Sequence, residues 1–245
     1  MPSPRHRHGS LAEPHDSGTM QDRTNKIRAA VLGANDGIVS TAGLVLGVAG
    51  ATTDTTAIMV AGLTGLVAGS LSMAAGEYVS VSSQRDTEKA LVDKERLELE
   101  TMPDEELEEL AGLFRDRGLS DSLARQVAVE LTEKDALSAH TREELGIEPG
   151  EFTNPWAAAL SSMVSFTLGA LLPLIAILLT PESMVRVVVT IVAMIVALSV
   201  TGFLSARLGG APIARAMIRN AAGGAFAMIV TYVIGLGIGN LLGTS

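Results

Sequence analysis

The chain has no cysteine among its 245 residues, and only 3% of its residues are aromatic. The absence of cysteine excludes disulfide bonds and every metal site that needs thiolate ligands. Few aromatic side chains, and apolar segments without an interior cation to pair with an anion, argue against the transport of an organic substrate. The first 25 residues are polar and lack the apolar core of a cleavable signal peptide.

Long apolar runs dominate the rest of the chain. A bilayer core is about 30 Å thick, so a helix needs ~20 mostly apolar residues to cross it. Five segments meet this requirement: residues 28–50, 55–82, 155–179, 184–206 and 215–242. No alternating β pattern appears between them. The sequence therefore predicts an all-α membrane protein with five transmembrane helices per protomer.

The acidic residues are concentrated between the second and third apolar segments. Residues 86–151 contain 20 acidic and 8 basic residues, a net charge of −12, whereas the rest of the chain carries +3. Anionic lipid head groups repel such an insert, so cations are its expected partners and no nucleic-acid partner is expected. We predict a disordered cytoplasmic tail (1–25), transmembrane helices 1–2 (26–82), a cytoplasmic helical metal-binding domain (83–152) and transmembrane helices 3–5 (153–245).

The basic residues predict the orientation in the membrane, because cytoplasmic loops carry an excess of Lys and Arg. With five spans, one side holds the N-terminus, the insert and the 207–219 loop. The basic residues near that side are Arg23, Lys26, Arg28, Arg85, Lys89, Arg207, Arg215 and Arg219, whereas only Arg186 lies near the other. We expect the N-terminus and the insert in the cytoplasm and the C-terminus outside. Short loops and the lack of a targeting segment favour a prokaryotic plasma membrane.

Three helices are predicted in the insert. The first continues the second span as far as Glu100, because residues 79–100 contain neither Pro nor Gly. Pro103 suits the first turn of the second helix, which extends over 104–117 and ends at Gly118. Ser120 or Asp121 can cap the third, which extends to about Leu145.

Helical spacing places carboxylates of the insert on shared faces. Pairs three or four residues apart occur in each of the three helices: Glu95 and Glu98, Glu106 and Glu109, and His140 and Glu144. Oxygen ligands suit Mg, Ca, Mn and Fe(II), and an imidazole favours transition metals. The alternative interpretation is a solvated acidic face whose ion-pair partners are Lys94, Arg96 and Arg142.

A carboxylate in the first apolar segment needs a separate explanation. An ionised carboxylate at bilayer depth costs roughly 2.5–3.5 kcal/mol on insertion scales, so Asp36 is expected to face a partner, a cavity or a permeating ion. Asn35 adds an amide beside it, and Met73 offers a thioether in the second segment. Glu77 follows one turn later, near the cytoplasmic mouth. The structural alternatives are packing for Met73 and a buried pair with Arg28 for Asp36.

The motifs Asn35-Asp-Gly-Ile-Val-Ser-Thr and Ser70-Leu-Ser-Met-Ala-Ala-Gly-Glu-Tyr78, followed by an acidic three-helix insert, resemble the vacuolar iron transporter (VIT) family. The resemblance implies a homodimer that exchanges Fe2+ and similar divalent metals, including Mn2+, for protons and exports them from the cytoplasm. It implies no enzymatic activity and no prosthetic group. An aspartate and a methionine that line the family's pathway match Asp36 and Met73, and its metal-binding glutamates match Glu95, Glu98, Glu106, Glu109 and Glu144.

Two departures from the family pattern concern the metal ligands. Plant members carry paired methionines where this chain has His140 and Thr141, and an acidic residue where it has Gly65; Glu77 is a candidate replacement for that carboxylate. The competing hypothesis is a membrane-anchored metal buffer or oxidase without transport. The insert has no Glu-x-x-His pair of the kind that builds di-iron sites in helical bundles.

Overall fold

The computed structural model describes residues 17–150, 152–180 and 183–243, with side chains from Arg28 onward. Over these ranges the chain forms seven helices and no strand: α1 (Ser17–Ala51), α2 (Thr55–Thr101), α3 (Pro103–Asp116), α4 (Asp121–Glu143), α5 (Pro155–Leu179), α6 (Ser183–Gly209) and α7 (Ile213–Leu242). Five of them, α1, α2, α5, α6 and α7, are long and apolar enough to cross a membrane. The prediction of an all-α membrane protein with five spans is confirmed.

The ends of the helices follow from local sequence signals. Asp54 caps α2 by accepting a hydrogen bond from the backbone N–H of Thr56 at 2.8 Å, and Asn154 caps α5 in the same way. Pro103 opens α3 with three acidic residues in its first turn, as predicted. One boundary differs from the prediction. α1 begins at Ser17, so residues 17–25, which we assigned to a disordered tail, continue the helix of the first span. Residues 1–16 of that tail lie outside the described ranges.

α2 is a single helix of 47 residues, which corresponds to about 70 Å at 1.5 Å per residue. A bilayer core accounts for about 30 Å of this length. The remaining residues extend beyond the apolar segment and contact α3 and α4, which pack on each other around Leu110, Ala111 and Ala128. The sequence predicts this extension of the helix beyond the second span, because residues 79–100 contain neither Pro nor Gly.

α1 is the central element of the membrane bundle, because it contacts α2, α5, α6 and α7. The main apolar core includes Ile38 and Leu46 of α1, Leu174 of α5 and Met194 of α6. Glycines permit the closest approaches: a Cβ added to Gly37 would overlap the carbonyl group of Phe166. Glycines in the spans thus allow helices of the same chain to pack closely.

At the end of the bundle where α2 begins, one buried arginine connects neighbouring helices. Arg186 of α6 is only 6% exposed. Its Nε donates to the carbonyl oxygen of Thr180 at 2.8 Å, and a terminal nitrogen donates to the Thr55 hydroxyl at 3.1 Å. Arg186 therefore joins the end of α5 to the beginning of α2, and its hydrogen bonds offset the cost of burying the charge.

Candidate metal centre and transport pathway

Three helices bring a histidine and two glutamates together in the acidic insert. The His140 side chain of α4 is fully buried, and Glu95 of α2 and Glu106 of α3 are 3% and 5% exposed. His140 Nδ1 lies 3.0 Å from Glu95 Oε1 and 3.5 Å from Glu106 Oε2. Two buried carboxylates that share one imidazole and contact no Lys or Arg are costly, so this arrangement requires a functional explanation.

Several polar atoms of this cluster lack hydrogen-bond partners. Both ring nitrogens of His140 and Oε1 of Glu95 are buried, and none of them forms a hydrogen bond of good geometry with a described residue, although Nδ1 and Oε1 are 3.0 Å apart. One ligand atom each from Glu95, His140 and Glu144 lies within 4.8 Å of the others. One imidazole nitrogen and carboxylate oxygens form a donor set that suits a divalent transition metal. A metal ion would satisfy the buried atoms that the protein leaves unpaired.

The electrostatics of the cluster favour a ligand set with a neutral imidazole. Burial lowers the pKa of His140, partly opposed by the charge of Glu109, so the neutral form is favoured. Burial, together with the negative charges of Glu109 and other carboxylates, raises the pKa values of Glu106 and Glu144 above their usual range. The mutual repulsion of these carboxylates would be relieved by a bound cation.

The predicted ion-pair partners lie at the edge of the cluster. Lys94 pairs with Glu98 at 2.6 Å, whereas Arg96 pairs with Asp93 and Arg142 with Glu148. None of the described Lys and Arg side chains forms an ion pair with Glu95, Glu106 or Glu144, whereas the imidazole of His140 contacts both Glu95 and Glu106. The interpretation as an ordinary solvated acidic face therefore fits the periphery and does not account for the buried centre.

A break in α4 directs its last two turns toward the cluster. Asp135 leaves the helical conformation at φ −167° and ψ 90°. Its carboxylate accepts hydrogen bonds from the Ser138 backbone N–H at 3.1 Å and from the Ser138 hydroxyl at 2.8 Å. Asp135 thus caps a new helical segment that carries His140 and Glu144. The sequence predicts an unbroken helix here, and the structure differs. The signal for the break is the pattern Asp135-x-x-Ser138, in which the Asp side chain accepts hydrogen bonds from Ser138.

We expect Glu95→Gln to raise the stability of the metal-free protein and to lower its affinity for metal. Burial and the neighbouring carboxylates raise the pKa of Glu95 to about 7, so above pH 7 the substitution removes a buried negative charge that no described Lys or Arg neutralises. The metal-free protein should then become more stable by about 1–2 kcal/mol. Metal affinity should fall at least tenfold, because one charged ligand is lost. Thermal melting in chelator and metal titration of the full chain measure the two effects. Glu133→Gln, an exposed change on α4, is the control and should alter neither quantity.

The membrane part contains a second arrangement around Asp36. Asp36, Met73 and Phe166 line a cavity of 190 Å³ between α1, α2 and α5. The Thr41 hydroxyl, which lines the same cavity, is buried without a hydrogen-bond partner among the described residues. The structure therefore brings together the carboxylate and the thioether that the sequence singled out. The position of the family's additional acidic residue, Gly65, also lines this cavity.

Asp36 lies on an exposed stripe of α1. Leu32, Asp36, Ser40 and Leu44 follow one another at intervals of four residues, and all four are exposed at the surface of the single chain. Residues at this spacing share one helix face. A carboxylate on the outer surface of a membrane helix is costly in lipid, so this stripe is a candidate surface for contact with a second protomer.

Asn35 and Glu77 lie apart from the Asp36 cavity. The Asn35 side-chain oxygen accepts hydrogen bonds from Thr201 at 3.2 Å and Asn220 at 3.5 Å, in a different cavity between α1, α6 and α7. Glu77 lines a third cavity, of 20 Å³, with Arg28. Neighbours in sequence diverge on a helix by about 100°, which accounts for the separation of Asn35 from Asp36. A role of Asn35 and Glu77 in transport stays a prediction.

Comparison with known proteins agrees with this architecture. A sequence model described as "VIT family" matches residues 27–236. The chain is 41% identical over 209 residues to a vacuolar iron transporter of Acanthamoeba castellanii, covering 85% of this chain and 77% of that protein. It is 36% identical over 210 residues to vacuolar iron transporter homolog 2 of Arabidopsis thaliana, covering 86% and 83%. It is 33% identical over 236 residues to VIT-like transporter 1b of Glycine max, covering 96% and 84%. The chain belongs to the VIT family.

Proposed function

We propose that the chain transports iron and similar divalent transition metals across a membrane in exchange for protons. Relatives that are 33–41% identical over most of the chain bear the names of vacuolar iron transporters and a VIT-like transporter. The observation that carries the proposal is Asp36, an ionisable side chain that lines an open cavity with Met73 at the surface of the membrane bundle. An anchor for a soluble metal buffer would not need such a group.

The acidic insert, residues 83–152, is the proposed capture domain on the cytoplasmic side. Its net negative charge raises the local concentration of cations, and Glu95, His140 and Glu144 supply the inner ligands. Glu106 is adjacent to His140, and Glu98 and Glu109 provide further negative charge nearby. The metal is cargo, so the site must release it, and a set of partly repelling carboxylates suits moderate affinity better than a closed structural site.

Asp36 is the proposed exchange group. A carboxylate binds metal in its ionised form and can bind a proton when the metal leaves. Competition between a metal ion and a proton for this group couples their movements in opposite directions. The exposed stripe around Asp36 implies a homodimer in which a second protomer shields the carboxylate from lipid and completes the pathway. The proposed location is a plasma membrane, with the N-terminus and insert in the cytoplasm.

Uptake of Fe2+ and Mn2+ into proteoliposomes under an imposed pH gradient tests the proposal. We expect flux that requires the gradient. A variant with Glu95, Glu98, Glu106 and Glu109 replaced by Ala should show several-fold slower flux at low metal concentration and a smaller deficit when metal is abundant. The reason is that capture limits the rate only when metal is scarce.

A variant with Glu130 and Glu133 replaced by Ala is the control, because both side chains are exposed on the same insert away from the cluster. It should transport like the wild type. Metal binding to a well-folded wild type without any gradient-dependent flux would contradict the antiporter. That result would favour the membrane-anchored metal buffer or oxidase.

A further inference from the structure

One cavity of the membrane bundle is lined by side chains whose charge is opposite to that of the metal route. This cavity, between α1, α6 and α7, has a volume of 560 Å³ and is lined by Arg28 and Arg219 together with Asn35, Ser205 and Asn220. No described Asp or Glu lines it. Two guanidinium groups repel a divalent cation, so the cavity is not part of the path that the metal takes.

One face of each of α1, α6 and α7 forms the walls of this cavity. The α1 residues follow the spacing 28, 31, 32 and 35, the α7 residues follow 216, 219 and 220, and α6 contributes residues 202, 205, 208 and 209. Arg28 is at the beginning of the first span, and Arg219 is in the second turn of α7. The distance along α1 from Arg28 to Asn35 is about 10 Å at 1.5 Å per residue. The cavity therefore reaches from the end of the spans into the bundle.

The two arginines of this cavity have no carboxylate partner among the described residues. Neither Arg28 nor Arg219 forms an ion pair with a carboxylate of the described residues, although Glu77 lines a smaller cavity next to Arg28. The Asn35 side-chain oxygen accepts hydrogen bonds from Thr201 and Asn220, which leaves the Asn35 amide nitrogen available as a donor. A guanidinium group binds phosphate oxygens through paired hydrogen bonds. Unpaired arginines and an amide donor are thus the recognition chemistry of a phosphate group.

The apolar part of the lining indicates where the phosphate group comes from. Leu208, which is 57% exposed, lies beside the arginines. This combination, at the end of membrane spans, matches a phospholipid, whose phosphate lies at the interface and whose chains lie in the apolar layer. We propose that the α1–α6–α7 cavity binds a phosphate group through Arg28, Arg219 and Asn35, and that an anionic phospholipid head group supplies it.

Native mass spectrometry of the full-length protein tests the proposal after reconstitution in phosphatidylcholine nanodiscs that contain phosphatidylglycerol. The wild type should retain phosphatidylglycerol. Arg28→Gln/Arg219→Gln should lower the retained amount by about tenfold or more, because loss of a charged hydrogen-bond partner costs at least one tenfold step in affinity. Ser205→Phe, which fills the cavity and keeps both arginines, should have the same effect. Arg215→Gln is the matched control, since Arg215 is exposed in the first turn of α7 and does not line the cavity.

A second arm distinguishes the source of the phosphate. Delipidated protein in neutral detergent is titrated with inorganic phosphate, and thermal melting reports binding and also shows that each variant is folded. If the protein retains the lipid but inorganic phosphate does not stabilise it in a saturable way, the bound phosphate group is that of a lipid head group. Saturable stabilisation that requires Arg28 and Arg219 assigns a free phosphate and keeps the anion site. The proposal would be overturned if the folded cavity variants bound phosphatidylglycerol and inorganic phosphate as well as the wild type does. It would also be overturned if Arg215→Gln lost as much binding as the cavity variants.

Discussion

Asp36→Asn should abolish metal transport and leave the protein folded. Asparagine has nearly the same shape, but it carries no negative charge and cannot exchange a proton for a metal ion. Loss of one partner of a close charge pair costs 2–5 kcal/mol, so we expect a decrease in flux of roughly a hundredfold or more. The fold should tolerate the change, because an ionised carboxylate is the more costly group at bilayer depth.

Proteoliposome flux of Fe2+ under a pH gradient measures this effect, and thermal melting in detergent verifies folding. Asp86→Asn is the matched control: it makes the same chemical change on an exposed residue of α2, outside the apolar segment. It should transport at the wild-type rate. Gradient-dependent transport by a folded Asp36→Asn variant at the wild-type rate would exclude Asp36 as the exchange group and refute the mechanism.

Gly235→Ala should strongly destabilise the membrane bundle. A Cβ added to Gly235 of α7 would overlap the backbone carbonyl of Gly47 in α1. Backbone atoms cannot move aside as a flexible side chain can, so the two helices must separate. Overpacking typically costs 1–3 kcal/mol, and we expect the upper end or loss of folded protein, because α1 contacts four other spans.

Gly237→Ala gives a matched control only two residues away. A Cβ at Gly237 would meet nothing within 4 Å. Because alanine favours a helix over glycine by about 1 kcal/mol, this variant should melt at the wild-type temperature or slightly higher. Thermal melting and the yield of monodisperse protein in detergent compare the pair. Equal stability of Gly235→Ala and Gly237→Ala would show that the α1–α7 contact is looser than the structure indicates.

Some features could be read from local sequence because local physics produces them. The five spans follow from apolar length, the extension of α2 beyond the second span from the absence of Pro and Gly in residues 79–100, and the beginning of α3 from Pro103. The predicted residues of the insert followed from helical spacing, and the structure places Glu95, Glu106 and His140 in contact distance. Their binding of a metal stays a prediction.

Other features depend on contacts between residues far apart in the chain. The sequence places Asn35 next to Asp36, but the Asn35 side chain forms hydrogen bonds with Thr201 and Asn220, which are 166 and 185 residues away along the chain. The ring nitrogens of His140 lack hydrogen bonds to described residues because packing between helices buries the ring away from water. The cationic cavity of Arg28 and Arg219 likewise needs α1 and α7 to be neighbours, and no local pattern gives that pairing.

The sequence by itself determined the number of spans, the acidic insert, the family motifs and the residue types that can bind a metal. These properties depend on composition and on helical periodicity, which act within a few turns. The tertiary structure decided which of these side chains share a cavity, which polar atoms lose their partners on burial and which face of α1 is left uncovered. Those outcomes depend on how closely the helices approach one another. Glycines such as Gly37 and Gly235 allow the closest approaches, because a Cβ at either position would overlap the backbone of another helix.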